Sequence, residues 1–225
     1  MRTIKQHFED EAKDFDRLIL TLIPHYPRMV EALIAAIPFD GAAPLRAIDL
    51  GCGTGTVARA VLEAFPNAHV TCLDLAENMI TMARAKLARY AHVNYIVGDF
   101  HRINDNYDVV LSSLALHHLP TDGDKQHLYR RIYDSLAPGG VFYTAEVVLG
   151  SGDFVQAAYL RKWCEFMRRY VSQEEIEDKW IPKYLAEDRP AKLIPQLTWM
   201  AEIGFSDLDI LWKYYNFAVY GGIKR

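Results

Sequence analysis

The chain is poor in the features that would open several large classes of function. Only three cysteines occur in 225 residues, Cys52, Cys72 and Cys164. None belongs to a Cys-x-x-Cys pair, so neither a disulfide scaffold nor a thiolate zinc cluster is expected, and the usage suits a reducing, cytoplasmic setting. No run of about 18 apolar residues exists, so no membrane-spanning helix is expected and no membrane partner. The first residues, Met1 to Gln6, are polar and do not read as a signal peptide. Basic residues are not in excess: 25 Lys and Arg against 29 Asp and Glu leave a net charge of −4. Without a basic field, a long nucleic acid is not an expected partner. Internal repeats and low-complexity runs are absent as well.

What is present is an ordinary globular composition, 51% hydrophobic and 24% charged, on a chain long enough to bury a substantial core. Ile4, Phe8, Ala12 and Phe15 share one helical face. A second apolar helix is expected from Met29 to Ile37, closed by Pro38. From there strands and helices alternate. Strands are expected at Leu45–Leu50, His69–Leu73, Val93–Val97, Tyr107–Leu111 and Val141–Val148. Helices are expected at Thr54–Phe65, Glu77–Tyr90 and Lys125–Leu136. This alternation predicts right-handed βαβ units in a doubly wound, mostly parallel α/β sheet. Residues 151–190 interrupt it and read as a helical insertion. A helix at Lys192–Ile203 and two strands, Ser206–Leu211 and Asn216–Gly222, follow as an antiparallel pair. The organisation is one domain over 1–225: a helical cap (1–40), a core (45–150), a helical lid (151–190) and a final helix and strand pair (191–225).

The sharpest local signal is Asp49-Leu50-Gly51-Cys52-Gly53-Thr54-Gly55. An apolar strand meets a helix through three glycines, which permit positive φ and close approach of a ligand. Such a turn lies where doubly wound sheets bind nucleotides. A dinucleotide fingerprint would need glycine at position 56, which is Thr56; a nicotinamide enzyme is thereby disfavoured. Asp74 ends the second strand, where a carboxylate can accept both ribose hydroxyls.

With these residues in register, the sequence resembles the class I S-adenosylmethionine-dependent methyltransferases. Asp49 to Gly55 matches that family's first motif, and Leu73-Asp74 its ribose-binding acid. Gly98-Asp99-Phe100 matches the turn beside the adenine, and Leu136 to Gly140 the motif before the fifth strand. The resemblance implies a seven-stranded Rossmann-like fold with an antiparallel last strand, and S-adenosylmethionine as cofactor. It implies cofactor contacts from Asp49, Gly51, Cys52, Gly53, Asp74, Leu75, Met79, Asp99, Phe100 and Ser113. Phe15-Asp16, Ile23 to Tyr26 and Tyr214 to Phe217 are similar to small bacterial and archaeal methyltransferases of undefined substrate. The same segments resemble, more weakly, the carboxy-S-adenosylmethionine synthases; that likeness implies Tyr26 at the cofactor. The synthases hold a carboxylate with an arginine that aligns with Trp199 here, a departure that argues against carboxy transfer.

The acceptor half is less legible. His117 and His118 follow the fourth strand near the expected methyl group, and Glu146 ends the fifth; all three are candidate catalytic groups. The histidine pair also reads as a feature common in the family, with no base role. No third metal ligand stands at recognisable spacing, so no metal is expected. Tyr159, Trp163, Phe166 and Tyr170 form one helical stripe in the insertion. The stripe reads as packing against the sheet or a partner subunit, or as an aromatic lid in which Trp163 and Tyr170 touch substrate. Tyr214 and Tyr215 are further substrate candidates. Ser112-Ser113-Leu114-Ala115 is not the Pro-Pro turn of amino-group DNA methyltransferases, and no Pro-Cys dipeptide offers a thiolate for pyrimidine chemistry. The expected acceptor is a small molecule, and the chain a monomer or homodimer. Two alternatives stay open: another reaction on the cofactor, or cofactor binding without turnover.

Overall fold

The computed structural model describes residues 15–103 and 106–225. The positions Ile4, Phe8 and Ala12 of the first expected helix lie outside the described residues. Seven strands form one sheet in the order β3-β2-β1-β4-β5-β7-β6. They are β1 Arg46–Leu50, β2 His69–Asp74, β3 Val93–Val97, β4 Tyr107–Ser113, β5 Leu136–Val147, β6 Phe205–Tyr214 and β7 Phe217–Lys224. Strands β1 to β5 pair in parallel, and β7 runs antiparallel between β5 and β6. The expected doubly wound sheet with a reversed last strand is thus present.

Alternate residues of each strand feed two cores. Ala47, Val109, Leu111 and Val141 face one side, where α1 (Phe15–Leu22), α2 (Tyr26–Ala35), α3 (Thr56–Ala64) and α4 (Glu77–Lys86) pack. Ile48, Leu50, Val110 and Phe142 face the other, against α5 (Asp122–Ser135) and α8 (Leu193–Ile203). The insertion folds as α6 (Asp153–Met167), two short turns at Gln173–Glu175 and Ile176–Trp180, and α7 (Ile181–Glu187). Its Trp163, Phe166, Met167, Ile176, Trp180 and Tyr184 join the first core, so the segment is packed onto the sheet rather than held away from it.

Boundaries differ from expectation where a cap or a register shift decides them. Helix α5 begins three residues earlier than Lys125, because Thr121 and Asp124 form a reciprocal capping box. Strand β5 begins at Leu136, which pairs with Tyr107 before the register shifts at Tyr107/Val109. Helix α2 starts at Tyr26, with Pro27 in its first turn. Strand β6 runs on through Tyr214, leaving Tyr215 and Asn216 as a two-residue turn with φ 50° at Tyr215.

Candidate functional site

The carboxyl ends of β1, β2 and β4 open onto a cavity of about 260 Å³. The glycine turn forms its floor. Gly51 holds φ 70°, and a Cβ there would stand 2.3 Å from the Cβ of Ala115. Glycine at this position is therefore required by the loop after β4. At Gly53, φ 51°, an added Cβ would meet only Phe15, at 3.7 Å; its backbone N–H donates to Asp74 Oδ2 at 2.8 Å.

Three acids face this cavity, each held differently. Asp74 also accepts from the Ala76 N–H, 2.9 Å from Oδ1, and burial raises its pKa against those two hydrogen bonds. Asp49 is buried; its Oδ2 accepts from the Ala58 N–H at 3.1 Å, and its Oδ1 has no partner. Burial pushes the Asp49 carboxyl up to about 7, with the charge of Asp74 adding to it. Asp99 is exposed and caps the turn at Phe100–Arg102 by accepting from the His101 N–H at 2.9 Å. Cys52, Leu75, Met79, Phe100 and Ser113 also line it, with Tyr26. The Tyr26 phenol is buried beside Ser113, and burial holds its pKa well above the ordinary range. All eleven residues expected at the cofactor are thus gathered in one cavity. Lys86 braces the turn: its ammonium donates to Thr54, Thr56 and Asp16, tying α1 to the glycine loop.

A second cavity adjoins the first. Phe15, Ile19, Leu114 and His118 line both. Leu114 sits at φ 54°, a left-handed conformation that costs a branched side chain about 1–2 kcal/mol, and its N–H donates to Ala145 at 2.8 Å. The second cavity is walled mainly by apolar and aromatic side chains from α1, α6, α7 and the turn before α7, including Trp163, Met167, Trp180 and Tyr184. Its polar residues are His117, His118, Lys183, Glu187 and Asp188.

Glu146 lines neither cavity. It is buried, and its carboxylate accepts from the N–H groups of Leu116 at 2.9 Å and His117 at 3.2 Å, and pairs with His117 Nδ1 at 2.6 Å. It holds the turn that carries both histidines; placing it in the pocket is corrected on that ground. Burial opposes charge on His117, but Glu146 and then Asp188 outweigh it and raise its pKa. Asp188, whose own pKa is raised by burial, lies 3.8 Å from His117 Nε2 and 3.4 Å from His118 Nδ1. At no recognisable spacing, 70 residues beyond His118, Asp188 at the end of α7 stands beside both histidines. The acid pair Glu187-Asp188, immediately before Arg189-Pro190 closes the insertion, is the signal that could have drawn attention to it.

The aromatic candidates separate. Trp163 lines the second cavity and donates its indole N–H to Leu22 O at 2.7 Å. Tyr170 lies past the end of α6 at Met167, is exposed, and lines neither cavity. Tyr214 packs edge-on against His25, with ring centres 4.6 Å apart, and Tyr215 lies 6.2 Å from Tyr159. The hairpin end carries both tyrosines outside the two cavities. Trp199 packs on the opposite face of the sheet, in the second core. It lines neither cavity.

Residues 47–140 match the family model of a methyltransferase domain. The chain is 29% identical to the carboxy-S-adenosyl-L-methionine synthase of Methylococcus capsulatus, over 96% of this chain and 92% of that protein. It is also 29% identical to the malonyl-[acyl-carrier protein] O-methyltransferase of Geobacter sulfurreducens, over 70% of this chain and 58% of that one. In fold it resembles human N-acetylserotonin methyltransferase, crystallised with S-adenosylmethionine, with a TM-score of 0.63 at 20% identity; the match spans 96% of this chain and 56% of the human one. The likeness to the synthases thus extends over nearly the whole chain, further than the short segments that first suggested it.

Proposed function

Because this chain is an S-adenosylmethionine-dependent enzyme of the class I methyltransferase fold, we propose that it transfers a methyl group to a small, largely apolar acceptor seated in the second cavity. The observation that carries the proposal is the shared wall. An acceptor there meets the cofactor across Phe15, Ile19, Leu114 and His118.

The first cavity fits the cofactor chemically. The partnerless, buried Oδ1 of Asp49 suits the ammonium of a methionine moiety. The Asp74 carboxylate suits ribose hydroxyls, and Asp99 with Phe100 an adenine edge and face. When bound, the cofactor supplies an electrophilic methyl group on a sulfonium sulfur. The chain's own contribution is then alignment and exclusion of water. The apolar residues of α1, α6 and α7 would desolvate the acceptor. His118, the polar side chain bordering both cavities among the described residues, would hold the attacking atom toward the cofactor. Glu146 positions His117 and the turn on which His118 rides. The same proposal includes a cytoplasmic setting, supported by three free cysteines.

A second reading, carboxy transfer onto the cofactor, is favoured by the full-length likeness to the synthases. The charges of the second cavity weigh against it: Lys183 stands with Glu187 and Asp188 there, a poor balance for a donor carrying a carboxylate. Incubation with S-adenosylmethionine and a panel of small phenols, thiols, amines and keto acids separates the readings by mass spectrometry. Methyl transfer yields S-adenosylhomocysteine and a methylated acceptor. A cofactor heavier by one carboxyl group, with no methylated acceptor, would reverse the choice.

A further inference from the structure

We propose that His117, His118 and Asp188 form a mononuclear site for a divalent transition-metal ion of the zinc type, opening onto the second cavity. The three side chains offer ligand atoms that all lie within 4.8 Å of one another. The two distances to Asp188, 3.8 Å from His117 Nε2 and 3.4 Å from His118 Nδ1, are long for charge-assisted hydrogen bonds. They are close to the spacing an ion imposes. With metal–ligand bonds of about 2.0–2.2 Å in a tetrahedral shell, neighbouring ligand atoms stand about 3.4 Å apart.

The surroundings are those of a prepared site. His117 Nδ1 faces the buried Glu146 carboxylate at 2.6 Å, and Nε2 faces Asp188 at 3.8 Å. A carboxylate behind a ligating imidazole fixes its tautomer and strengthens it as a donor. Glu146 is itself fixed by the N–H groups of Leu116 and His117. The third ligand is tied to the first two through the backbone: the Arg189 N–H, next to Asp188, donates to His117 O at 2.8 Å. Two imidazoles and one carboxylate, with a further position open to a cavity, suit zinc or ferrous iron rather than magnesium or calcium. Of the nearby cations, Lys125 donates to Leu119 O at 2.8 Å, and Lys183 lines the same cavity.

Ion binding stands apart from methyl transfer and is read without turnover. Only the role rests on the methyl-transfer reading: an ion here would ligate the acceptor oxygen or sulfur and lower its pKa, which narrows the acceptor to one carrying a hydroxyl or thiol.

The test uses the full chain, stripped with a chelator and returned to mildly alkaline buffer. Zinc is titrated against a chromophoric competitor, and cobalt(II) is followed by its visible absorption. The expected result is one ion per chain with a four- or five-coordinate cobalt spectrum. Affinity should fall about 100-fold or more in both His118→Ala and Asp188→Asn. Asp188→Asn preserves shape, and zinc should raise the Tm of the parent but not of this variant. His92→Ala is the control, because His69 and His92 form an exposed pair with ring centres 4.4 Å apart. Absence of a bound ion, binding unchanged in Asp188→Asn, or binding lost in His92→Ala would overturn the proposal. S-adenosylhomocysteine binding, measured on the same samples, separates failure of the ion site from failure of the cofactor cavity.

Discussion

At pH 6, binding of S-adenosylhomocysteine should expel close to one proton per chain, and the proton should come from Asp49. This carboxyl is buried with one oxygen on the Ala58 N–H and the other without a partner, and its pKa in the free protein is pushed up to about 7. An ammonium placed at the partnerless oxygen would return it toward the ordinary carboxylate value of about 3.9. The free carboxyl is then about nine-tenths protonated at pH 6 and about one-tenth at pH 8. Apparent affinity should be about tenfold weaker at pH 6 than at pH 8, or about 1.4 kcal/mol. Calorimetric titration at pH 6 in two buffers of different ionisation enthalpy measures the release directly. Asp49→Asn should abolish both the release and the pH dependence. A buffer-independent enthalpy in the parent, or the same release from Asp49→Asn, would refute the reasoning. The sign for stability runs the other way from that of a paired carboxylate. A folded pKa above the unfolded one favours the fold at low pH, and that contribution is lost as pH rises through about 7. Without ligand, Asp49→Asn should therefore gain on the parent more at pH 8 than at pH 5, by about 2.6 kcal/mol.

Two further substitutions test the framework around the site. Gly51→Ala forces a methyl group to within 2.3 Å of the Ala115 Cβ at φ 70°; the left-handed backbone and the overlap together should cost about 2–5 kcal/mol in denaturant unfolding, and a loss under about 1 kcal/mol would show that the β4 loop yields freely. Glu146→Gln keeps the shape but sets an amide donor against the N–H groups of the 115–117 turn, so it should cost about 2–3 kcal/mol while S-adenosylhomocysteine still binds. An unchanged Tm would remove Glu146 from its positioning role.

The two halves of the site were unequally legible, for a physical reason. A nucleotide cofactor is gripped by backbone turned sharply at strand ends, and such turns leave contiguous signatures. Gly51, Gly53, Asp74 and Asp99 each stand at or just beyond the end of a strand, so reading the strands located the residues. The acceptor half has no such local rule. Glu146 follows the sheet's alternation away from the first core and meets the 115–117 backbone, a contact no spacing announces. Asp188 reaches His118 only because α6 and α7 fold back over the sheet and the Arg189 N–H closes on His117 O. Trp163 and Phe166 of the aromatic stripe join the first core, but its last position does not. Tyr170 falls on it by sequence spacing, but α6 ends at Met167, and periodicity carries no information past the last helical turn. The unanswered chemistry of this protein therefore lies where three distant segments meet, at the 115–118 turn, the end of β5 and the end of α7. The strongest test of the whole arrangement is whether that junction, emptied of Asp188 alone, loses its ion and its acceptor while the cofactor cavity remains intact.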